Sequence, residues 1–283
     1  MPSGSPTAYA ARKTDDEWNF GVSKVSPIDD PLDKRLEGLE RRLVLNRKRQ
    51  EIMGHLRNLM ALVDTDQIEA ARREYADRIQ RASADSRYKY RDVAYYTLQK
   101  LLLAYKLGLN RGVPHSVLDI GTGAGHFPFV CRYFGHHVVG IDIRNSFYDR
   151  IAGSLGVDRT HVAVEPGKLL PYLGGPFDLI TACAITFSEI RTSNRRKSRI
   201  YWSLAEWQFL LDDLMAHQLR YPGRLYLTLN KQWHGRFFGF DLLSFDRQLL
   251  TMAARNGAIV HRSKGTIDLS LASRRPLSLQ PSG

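Results

Sequence analysis

Apolar residues in the N-terminal third of the chain recur at intervals of three and four, the spacing of one helix face. Over residues 31–63 these positions stand among many charges, which predicts one long amphipathic helix. Asn46 and Gln50 interrupt its apolar stripe. The interruption disfavours a long dimeric coiled coil, although a homodimer through the N-terminal helices stays open.

Two further helices are predicted before residue 110. The first covers residues 66–81, with Asp64 or Thr65 as its N-cap. The second covers residues 86–109 and ends at Gly108, because glycine readily adopts the left-handed conformation that closes a helix. We expect residues 1–30, which lack periodicity, to form a flexible arm and residues 31–85 to form a helical accessory segment.

After residue 110 the pattern alternates between short β-branched runs and helical segments, which is typical of a parallel sheet with helices on both faces. The clearest helices cover residues 204–218 and 242–256. A C-terminal antiparallel hairpin should close a seven-stranded, mostly parallel sheet. The predicted strands are residues 116–120, 137–141, 161–164, 178–182, 224–229, 258–262 and 266–271.

Composition excludes several classes of protein. With 43% apolar residues, the 283-residue chain is able to fill a core. No apolar run is long enough to span a membrane, and the N-terminus lacks the pattern of a secretory signal. We therefore expect a cytoplasmic protein. Cys131 and Cys183 are the two cysteines, so neither a disulfide framework nor a cysteine-bound metal is expected.

The formal charge of +12 is concentrated late in the chain, where residues 191–283 carry 15 basic and 6 acidic side chains. Such an excess attracts phosphates, nucleic acid, acidic glycans or anionic membrane surfaces. A solvated loop is the alternative. The densest cluster consists of Arg191, Arg195, Arg196, Lys197 and Arg199.

A glycine-rich turn follows the first predicted strand in "SVLDIGTGAGHF". Gly121, Gly123 and Gly125 permit a tight turn and allow a ligand to lie against bare backbone. His126 stands where the dinucleotide fingerprint requires its last glycine, and no Gly-Lys-Ser/Thr follows for a P-loop. The turn therefore predicts a nucleotide-like ligand other than a dinucleotide or a nucleoside triphosphate.

Asp142 ends the next predicted strand, "HVVGIDI", 21 positions after Gly121. An acidic side chain at that place accepts hydrogen bonds from the two hydroxyl groups of a ribose. The ligand should therefore contain an unphosphorylated ribose.

These segments resemble the class I S-adenosylmethionine-dependent methyltransferases. "VLDIGTGAGHF" is similar to that family's first motif and "VVGIDI" to its second, while "PFDLITACAI" and "PGRLYLTLN" look like its fourth and fifth strands. The resemblance covers about residues 88–271. It implies a Rossmann-like fold, S-adenosyl-L-methionine as cofactor, and a methyltransferase domain over residues 86–283.

The resemblance also implies roles for individual residues. Asp142 would hold the ribose, Ile143 would pack on the adenine, and Ala182 would offer its carbonyl to the cofactor amino group. Glu165 is a weaker candidate near the adenine amino group. The cofactor-binding set carried over from the family is Asp119, Gly121, Thr122, Gly123, Gly125, Asp142, Ile143, Ala182 and, for the methionine carboxylate, Arg91.

The acceptor is less constrained by the sequence. "ACAITF" after the fourth strand lacks the Asn/Asp-Pro-Pro-aromatic motif of amino methyltransferases that act on planar amines, and Cys183 is not in the Pro-Cys dipeptide of C5-pyrimidine enzymes. Oxygen, ordinary nitrogen and carbon nucleophiles remain. His234 and Glu189 are the candidate general bases, and His126 is a third histidine near the expected pocket.

A long basic insertion follows the fourth strand and is predicted to act as a lid that favours an anionic acceptor. We therefore expect O-methylation of a small-molecule, saccharide or lipid-linked acceptor. Two alternatives stay open: an RNA methyltransferase, and a non-catalytic scaffold that binds the cofactor. No metal is expected in any of these.

Overall fold

The computed structural model of the protein describes residues 30–43, 46–81, 90–185, 187–193, 196–237 and 240–274. Within these ranges, only the backbone is described for residues 81, 189–193, 196–199, 233–237 and 240–242. The predicted flexible arm, residues 1–30, lies outside the described residues except for Asp30.

The described strands form one large sheet and two small ones. The large sheet has the order β10-β11-β7-β4-β1-β2-β3, and β5–β6 and β8–β9 are separate two-stranded sheets. In chain order the strands are β1 (Ser116–Ile120), β2 (His137–Asp142), β3 (Thr160–His161), β4 (Phe177–Ile185), β5 (Ser188–Ser193), β6 (Arg196–Tyr201), β7 (Leu219–Leu229), β8 (Gln232–Phe237), β9 (Phe240–Ser244), β10 (Ile259–His261) and β11 (Thr266–Leu271).

The predicted fold class is confirmed. β1 pairs in parallel with β2 and β4, β4 pairs in parallel with β7, and β11 pairs antiparallel with β7 and β10. The third strand is shorter than predicted, because only Thr160 and His161 pair with β2. Strand β4 extends three residues beyond the predicted end at Ala182.

Helices cover both faces of this sheet. They are α1 (Leu32–Arg42), α2 (Arg49–Ala61), α3 (Thr65–Glu74), α4 (Ala76–Arg81), α5 (Val93–Leu107), α6 (His126–Tyr133), α7 (Ser146–Ser154), α8 (Leu204–Asp213) and α9 (Arg247–Arg255). A π-helical turn, Leu214–Gln218, continues α8. Among the described residues, no helix has the length and apolar character needed to cross a membrane.

Two hydrophobic cores lie on opposite faces of the sheet, because alternate strand residues point to opposite sides. Val117 and Leu179 belong to the core that contains residues of α1–α3 and α5–α7. Leu118 and Ile180 belong to the core that contains residues of α8 and α9. The N-terminal helices thus share a core with the sheet, while the predicted domain boundary at residue 85 lies outside the described residues.

The single helix predicted over residues 31–63 is wrong, because the structure has two helices there, α1 and α2. Asn46 marks the break: its side-chain oxygen accepts a hydrogen bond from the Lys48 backbone N–H at 2.9 Å, which competes with helical pairing. The predicted helix over residues 66–81 is likewise divided at Tyr75. Its ring packs edge-on against Phe147 and its hydroxyl donates to Ser146 Oγ at 2.7 Å.

Helix α5 begins at Val93, later than predicted, with Asp92 as its N-cap accepting from the Tyr95 backbone N–H at 3.0 Å. It ends at Gly108, where φ is 80°, as predicted. The helix predicted over residues 242–256 begins only at Arg247, because residues 240–244 form strand β9. Both small hairpins, β5–β6 and β8–β9, were missed by the sequence patterns.

Candidate functional site

The glycine turn lies between β1 and α6, at the carboxyl end of the parallel strands. Gly121, Gly123 and Gly125 have φ values of 67°, 60° and 80°, a region that glycine adopts at little cost. The Gly121 and Thr122 backbone N–H groups donate to the carbonyl of Ile141 at 2.8 and 3.1 Å. These bonds hold the turn against the end of β2, where Asp142 lies.

Asp142 links the turn to the second strand. Its Oδ2 accepts a hydrogen bond from the Gly123 N–H at 2.7 Å, and its Oδ1 accepts one from the Ile143 N–H at 2.7 Å. Burial nevertheless raises the pKa of this carboxyl above its ordinary value. Because an ionised carboxylate has about four acceptor positions, two remain for a ligand.

A groove of about 350 Å³ opens beside Asp142. Three residues of the predicted cofactor-binding set line it: Gly121, Asp142 and Ile143. Its other lining residues are Ile120, Val162, Val164, Glu165, Pro166, Ile185, Phe187, Ser188 and Trp202. The groove therefore combines the partly buried carboxylate of Asp142 and the exposed one of Glu165 with largely apolar walls, a common composition for a small-molecule site.

Two other residues of the predicted cofactor-binding set, Asp119 and Thr122, contact the protein's own residues. Asp119 is 3% exposed and accepts a hydrogen bond from Thr181 Oγ1 at 2.7 Å. Thr122 packs against Gly140, where a Cβ atom would lie 3.0 Å from Thr122 Oγ1. These side chains stabilise the base of the turn, and neither lines the groove.

Gly125, Ala182 and Arg91 also lie away from the groove lining. A Cβ atom on Gly125 would lie 3.0 Å from Val157 Cγ1, so this glycine allows close packing of the turn. Ala182 is buried inside β4, paired with Ile120 and Leu227. The carbonyl of Arg91 accepts from Arg72 Nη2 at 2.8 Å.

Two side chains that the sequence analysis did not single out cover the glycine turn. A Cβ atom on Gly121 would lie 2.4 Å from Ile185 Cδ1, and one on Gly123 would lie 2.6 Å from the Tyr90 hydroxyl oxygen. Ile185 and Tyr90 therefore contact the bare backbone directly. Val162 and Val164 were in a predicted strand, and their period-two spacing could have identified them as one wall of the groove.

The end of β4 has an unusual backbone. Ala184 has φ of 57°, the one positive φ of a non-glycine residue in the described part of the chain, and such conformations often occur at functional sites. Its N–H donates to Thr228 Oγ1 at 2.9 Å, and its carbonyl accepts from Asn230 Nδ2 at 2.7 Å. Thr228 in β7 and Asn230 just after it therefore hold the chain just before Ile185.

A small second cleft adjoins the groove and shares Ile185 and Phe187 with it. Polar groups reach this cleft from several elements, since its other lining residues are Tyr201, Trp207, Leu229, Asn230, Gln232 and Asp246. The two hairpins leave the sheet beside it, because β5 follows β4 and β8 follows β7.

The candidate bases occupy different environments. Glu189 lies on β5 opposite Ile200, and His234 lies on β8 in an irregular part of the β8–β9 pairing; the side chains of both are outside the described part. His126 is 1% exposed, and its Nδ1 lies 3.1 Å from Thr97 Oγ1. Burial lowers the pKa of His126 to about 3, so it is neutral at physiological pH.

His126 should make folding stability depend on pH. An unfolded histidine titrates near 6.5, so between about pH 3 and 6.5 the unfolded chain binds a proton that the native protein does not. The stability contributed by neutral His126 is present above pH 6.5 and is lost as the pH falls. Between pH 7.5 and 5.5 we expect a loss of about 1 kcal/mol in urea unfolding, reduced in His126→Asn. The exposed His137→Asn should retain the wild-type pH dependence.

Among the described residues, no group of three or more His, Cys, Asp or Glu side chains is arranged to bind a metal ion. Cys131 and Cys183 are free, and burial raises the pKa of the Cys183 thiol to about 11. At neutral pH this thiol is therefore protonated and a poor nucleophile.

Comparisons with known proteins find methyltransferases. Residues 68–186 match the Methyltransf_23 family, a methyltransferase domain. The uncharacterized methyltransferase YcgJ of Bacillus subtilis (strain 168) is 26% identical over 152 residues, which cover 47% of this chain and 59% of that protein. The match thus spans less than two thirds of the relative's length.

Solved methyltransferase structures are also similar. The TehB-like SAM-dependent methyltransferase from Corynebacterium glutamicum is 16% identical with a TM-score of 0.39, covering 72% of this chain and 100% of that chain. SAM-bound CalS10, an amino pentose methyltransferase from Micromonospora echinaspora, is 21% identical with a TM-score of 0.34. The match covers 52% of this chain and 58% of that chain.

The family match covers less than half of the chain, and it includes both the glycine turn and Asp142. Residues 68–186 are thus similar to a methyltransferase domain, in agreement with the resemblance to the class I S-adenosylmethionine-dependent methyltransferases. S-adenosylmethionine stays the predicted cofactor.

Proposed function

We propose that the protein transfers a methyl group from S-adenosylmethionine to an oxygen atom of a small-molecule, saccharide or lipid-linked acceptor. The observation that carries the proposal is the position of Asp142, whose carboxylate lines a groove while bonded to the glycine turn. The cofactor, when bound, supplies an electrophilic methyl group on its sulfonium sulfur.

The groove fits the adenosine part of this cofactor. Asp142 has acceptor capacity for the two ribose hydroxyl groups. Ile143, Val162 and Val164 provide an apolar wall for the adenine ring, and Ile143 is 63% exposed beside the groove. Glu165 also lines the groove, so its carboxylate is a candidate acceptor for the adenine amino group.

The methionine part of the cofactor would lie toward the glycine turn. Tyr90 and Ile185 now cover Gly123 and Gly121, so they either move or form the wall against which this part packs. We retain Gly125, Asp119 and Thr122 as the support of the turn, and Ala182 and Arg91 as candidate partners of the amino and carboxylate groups.

The second cleft is the proposed acceptor site, because it adjoins the groove across Ile185 and Phe187. Its polar side chains, Tyr201, Asn230 and Gln232, are able to hydrogen-bond hydroxyl groups. The hairpin β5–β6 beside it carries a run of basic residues in sequence, which favours an acceptor with an anionic group. Glu189 and His234, on the two hairpins, remain the proposed general bases.

RNA is the second candidate acceptor, favoured by the basic C-terminal third of the chain. Binding to unpaired bases generally uses exposed aromatic residues among the charges. Two aromatic residues, Tyr201 and Trp202, follow the basic run in the sequence. Trp202 is buried against Phe187 and Trp207. That burial removes one stacking surface and favours the smaller acceptor. The scaffold alternative predicts cofactor binding without any transfer.

Calorimetry with S-adenosylmethionine and S-adenosylhomocysteine tests cofactor binding first. Incubation with methyl-labelled cofactor and fractionated cell extract then tests transfer. We expect label in small-molecule or lipid fractions that survives ribonuclease and mild alkali, because methyl ethers resist both. Label that disappears on ribonuclease treatment would support the RNA alternative, and cofactor binding with no labelled fraction would support the scaffold alternative.

The basic residues of the β5–β6 hairpin should contribute to acceptor binding and not to cofactor binding. In a variant with Arg196, Lys197 and Arg199 all changed to Ser, we expect transfer to the labelled fraction to fall about tenfold while cofactor affinity stays within twofold. Raising NaCl from 50 to 200 mM should weaken wild-type transfer only modestly for a small acceptor, whereas RNA binding would fall by about 10³-fold or more. Unchanged transfer by the triple variant would contradict the anionic acceptor.

A further inference from the structure

Arg159 is a buried arginine beside the carboxylate of the groove. It lies between α7 and β3, and its side chain is only 1% exposed. Its Nη2 atom is 3.8 Å from Asp142 Oδ2, and its Nη1 atom forms an ion pair with Asp149. Asp142 Oδ2 therefore lies close to both the Gly123 N–H and the Arg159 guanidinium.

The same guanidinium also contacts the chain that leaves β2. Nη2 donates to the Ile143 carbonyl at 3.1 Å, and Nη1 lies 3.5 Å from the Asn145 carbonyl oxygen. Arg159 Cζ lies 5.7 Å from the centre of the Tyr148 ring. One planar group thus bridges the carboxylate, the loop 143–145 and the start of α7, which suits the forked geometry of arginine.

We propose that Arg159 is a positioning residue for the cofactor, which keeps Asp142 ionised and holds Ile143 beside the groove. This inference rests on the proposed function, since it assigns Asp142 to the ribose. Arg159 itself lies outside the set of residues that line the groove. It would therefore act through Asp142 and the loop 143–145.

The charges around Asp142 explain why a buried cation is needed. Burial raises the pKa of Asp142, and the carboxylate of Asp149 raises it further. Asp119 and Tyr90 also interact electrostatically with Asp142, and His161 Nε2 lies 2.9 Å from Asp149 Oδ1. Arg159 and the N–H groups of Gly123 and Ile143 oppose the effect of burial.

Protonation of Asp142 would replace one acceptor position with a hydrogen-bond donor. A ribose with two free hydroxyl groups is better matched by an ionised carboxylate that accepts from both. Without the Arg159 charge, the pKa of Asp142 should rise, and cofactor affinity should be lost at a higher pH than in the wild-type protein.

Two variants of Arg159 separate its charge from its hydrogen bonds. Arg159→Gln removes the charge but retains a donor, and Arg159→Lys retains the charge but not the fork. We expect Arg159→Gln to bind S-adenosylhomocysteine about tenfold more weakly than the wild type at pH 6 but only about twofold more weakly at pH 8.5. For Arg159→Lys we expect a nearly pH-independent loss of about twofold to fivefold.

Asp142 can be followed directly in the free protein by carboxyl ¹³C NMR, with Asp142→Asn identifying its signal. Its titration should move to higher pH in Arg159→Gln and stay near the wild-type position in Arg159→Lys. The matched control is Arg150→Gln, which removes an exposed arginine of α7 that forms an ion pair with Glu74.

A titration of Asp142 that is unchanged in Arg159→Gln, with the same loss of affinity at both pH values, would overturn the proposal and leave Arg159 a purely structural residue. If Arg159→Gln does not fold, a rise of the Asp142 titration in Arg159→Lys would overturn it. Failure of the wild-type protein to bind either cofactor form would instead reject the proposed function, and the NMR titration would still test Arg159.

Discussion

Gly123→Ala is expected to weaken S-adenosylmethionine binding about 100-fold and to destabilise the protein by about 1–3 kcal/mol. Gly123 has φ of 60°, and an added Cβ atom would lie 2.6 Å from the Tyr90 hydroxyl oxygen. The methyl group would occupy the space between the turn and Tyr90, where the cofactor is proposed to contact backbone. Calorimetry and urea unfolding measure the two effects.

Gly135→Ala is the matched control for this prediction. Gly135 also has a positive φ, 84°, but an added Cβ atom there would have no neighbour within 4 Å. We expect a similar backbone cost of about 1 kcal/mol and unchanged cofactor affinity. Equal affinities for the Gly123 and Gly135 variants would mean that the turn does not contact the cofactor.

Asp142→Ala should lower cofactor affinity about 10- to 100-fold, corresponding to the loss of hydrogen bonds between a carboxylate and buried hydroxyl groups. The variant also removes the acceptors of the Gly123 and Ile143 N–H groups. Part of the loss would therefore come from a less ordered turn. Calorimetry with S-adenosylmethionine and with its demethylated product measures the change.

Asp142→Asn distinguishes these two contributions, because its amide oxygen retains one acceptor for the turn. We expect it to recover thermal stability more fully than cofactor affinity. The exposed Asp158→Ala removes a carboxylate from the same part of the chain and should leave affinity unchanged. Wild-type affinity in Asp142→Ala would remove the observation that carries the proposed function.

The local patterns of the sequence predicted most of the large sheet. β1, β2 and β11 were placed to within one residue, because each is a short apolar or alternating run bounded by polar residues or glycines. The pairing of the glycine turn with Asp142 was also predicted, since both belong to one β-turn-α-β unit whose geometry is local. The structure adds the bonds that join them.

The hairpins and helix breaks were not predictable in the same way. The β5–β6 hairpin is mostly polar and basic, so its two-residue alternation carries little hydrophobic signal. The break at Asn46 depends on one side chain that accepts a hydrogen bond from the backbone N–H two residues later, at Lys48. A periodic apolar pattern continues across such a break, because both helices bury their apolar faces in the same core.

The sequence by itself determined the class of fold, the glycine turn and the acidic residue that follows it, because these depend on residue type and short spacing. Only the tertiary structure decided that Tyr90 and Ile185 cover the turn, and that Arg159 lies beside Asp142. Those contacts join residues 17 to 64 positions apart in the chain. Their geometry comes from the packing of helices against the sheet, which no local pattern encodes.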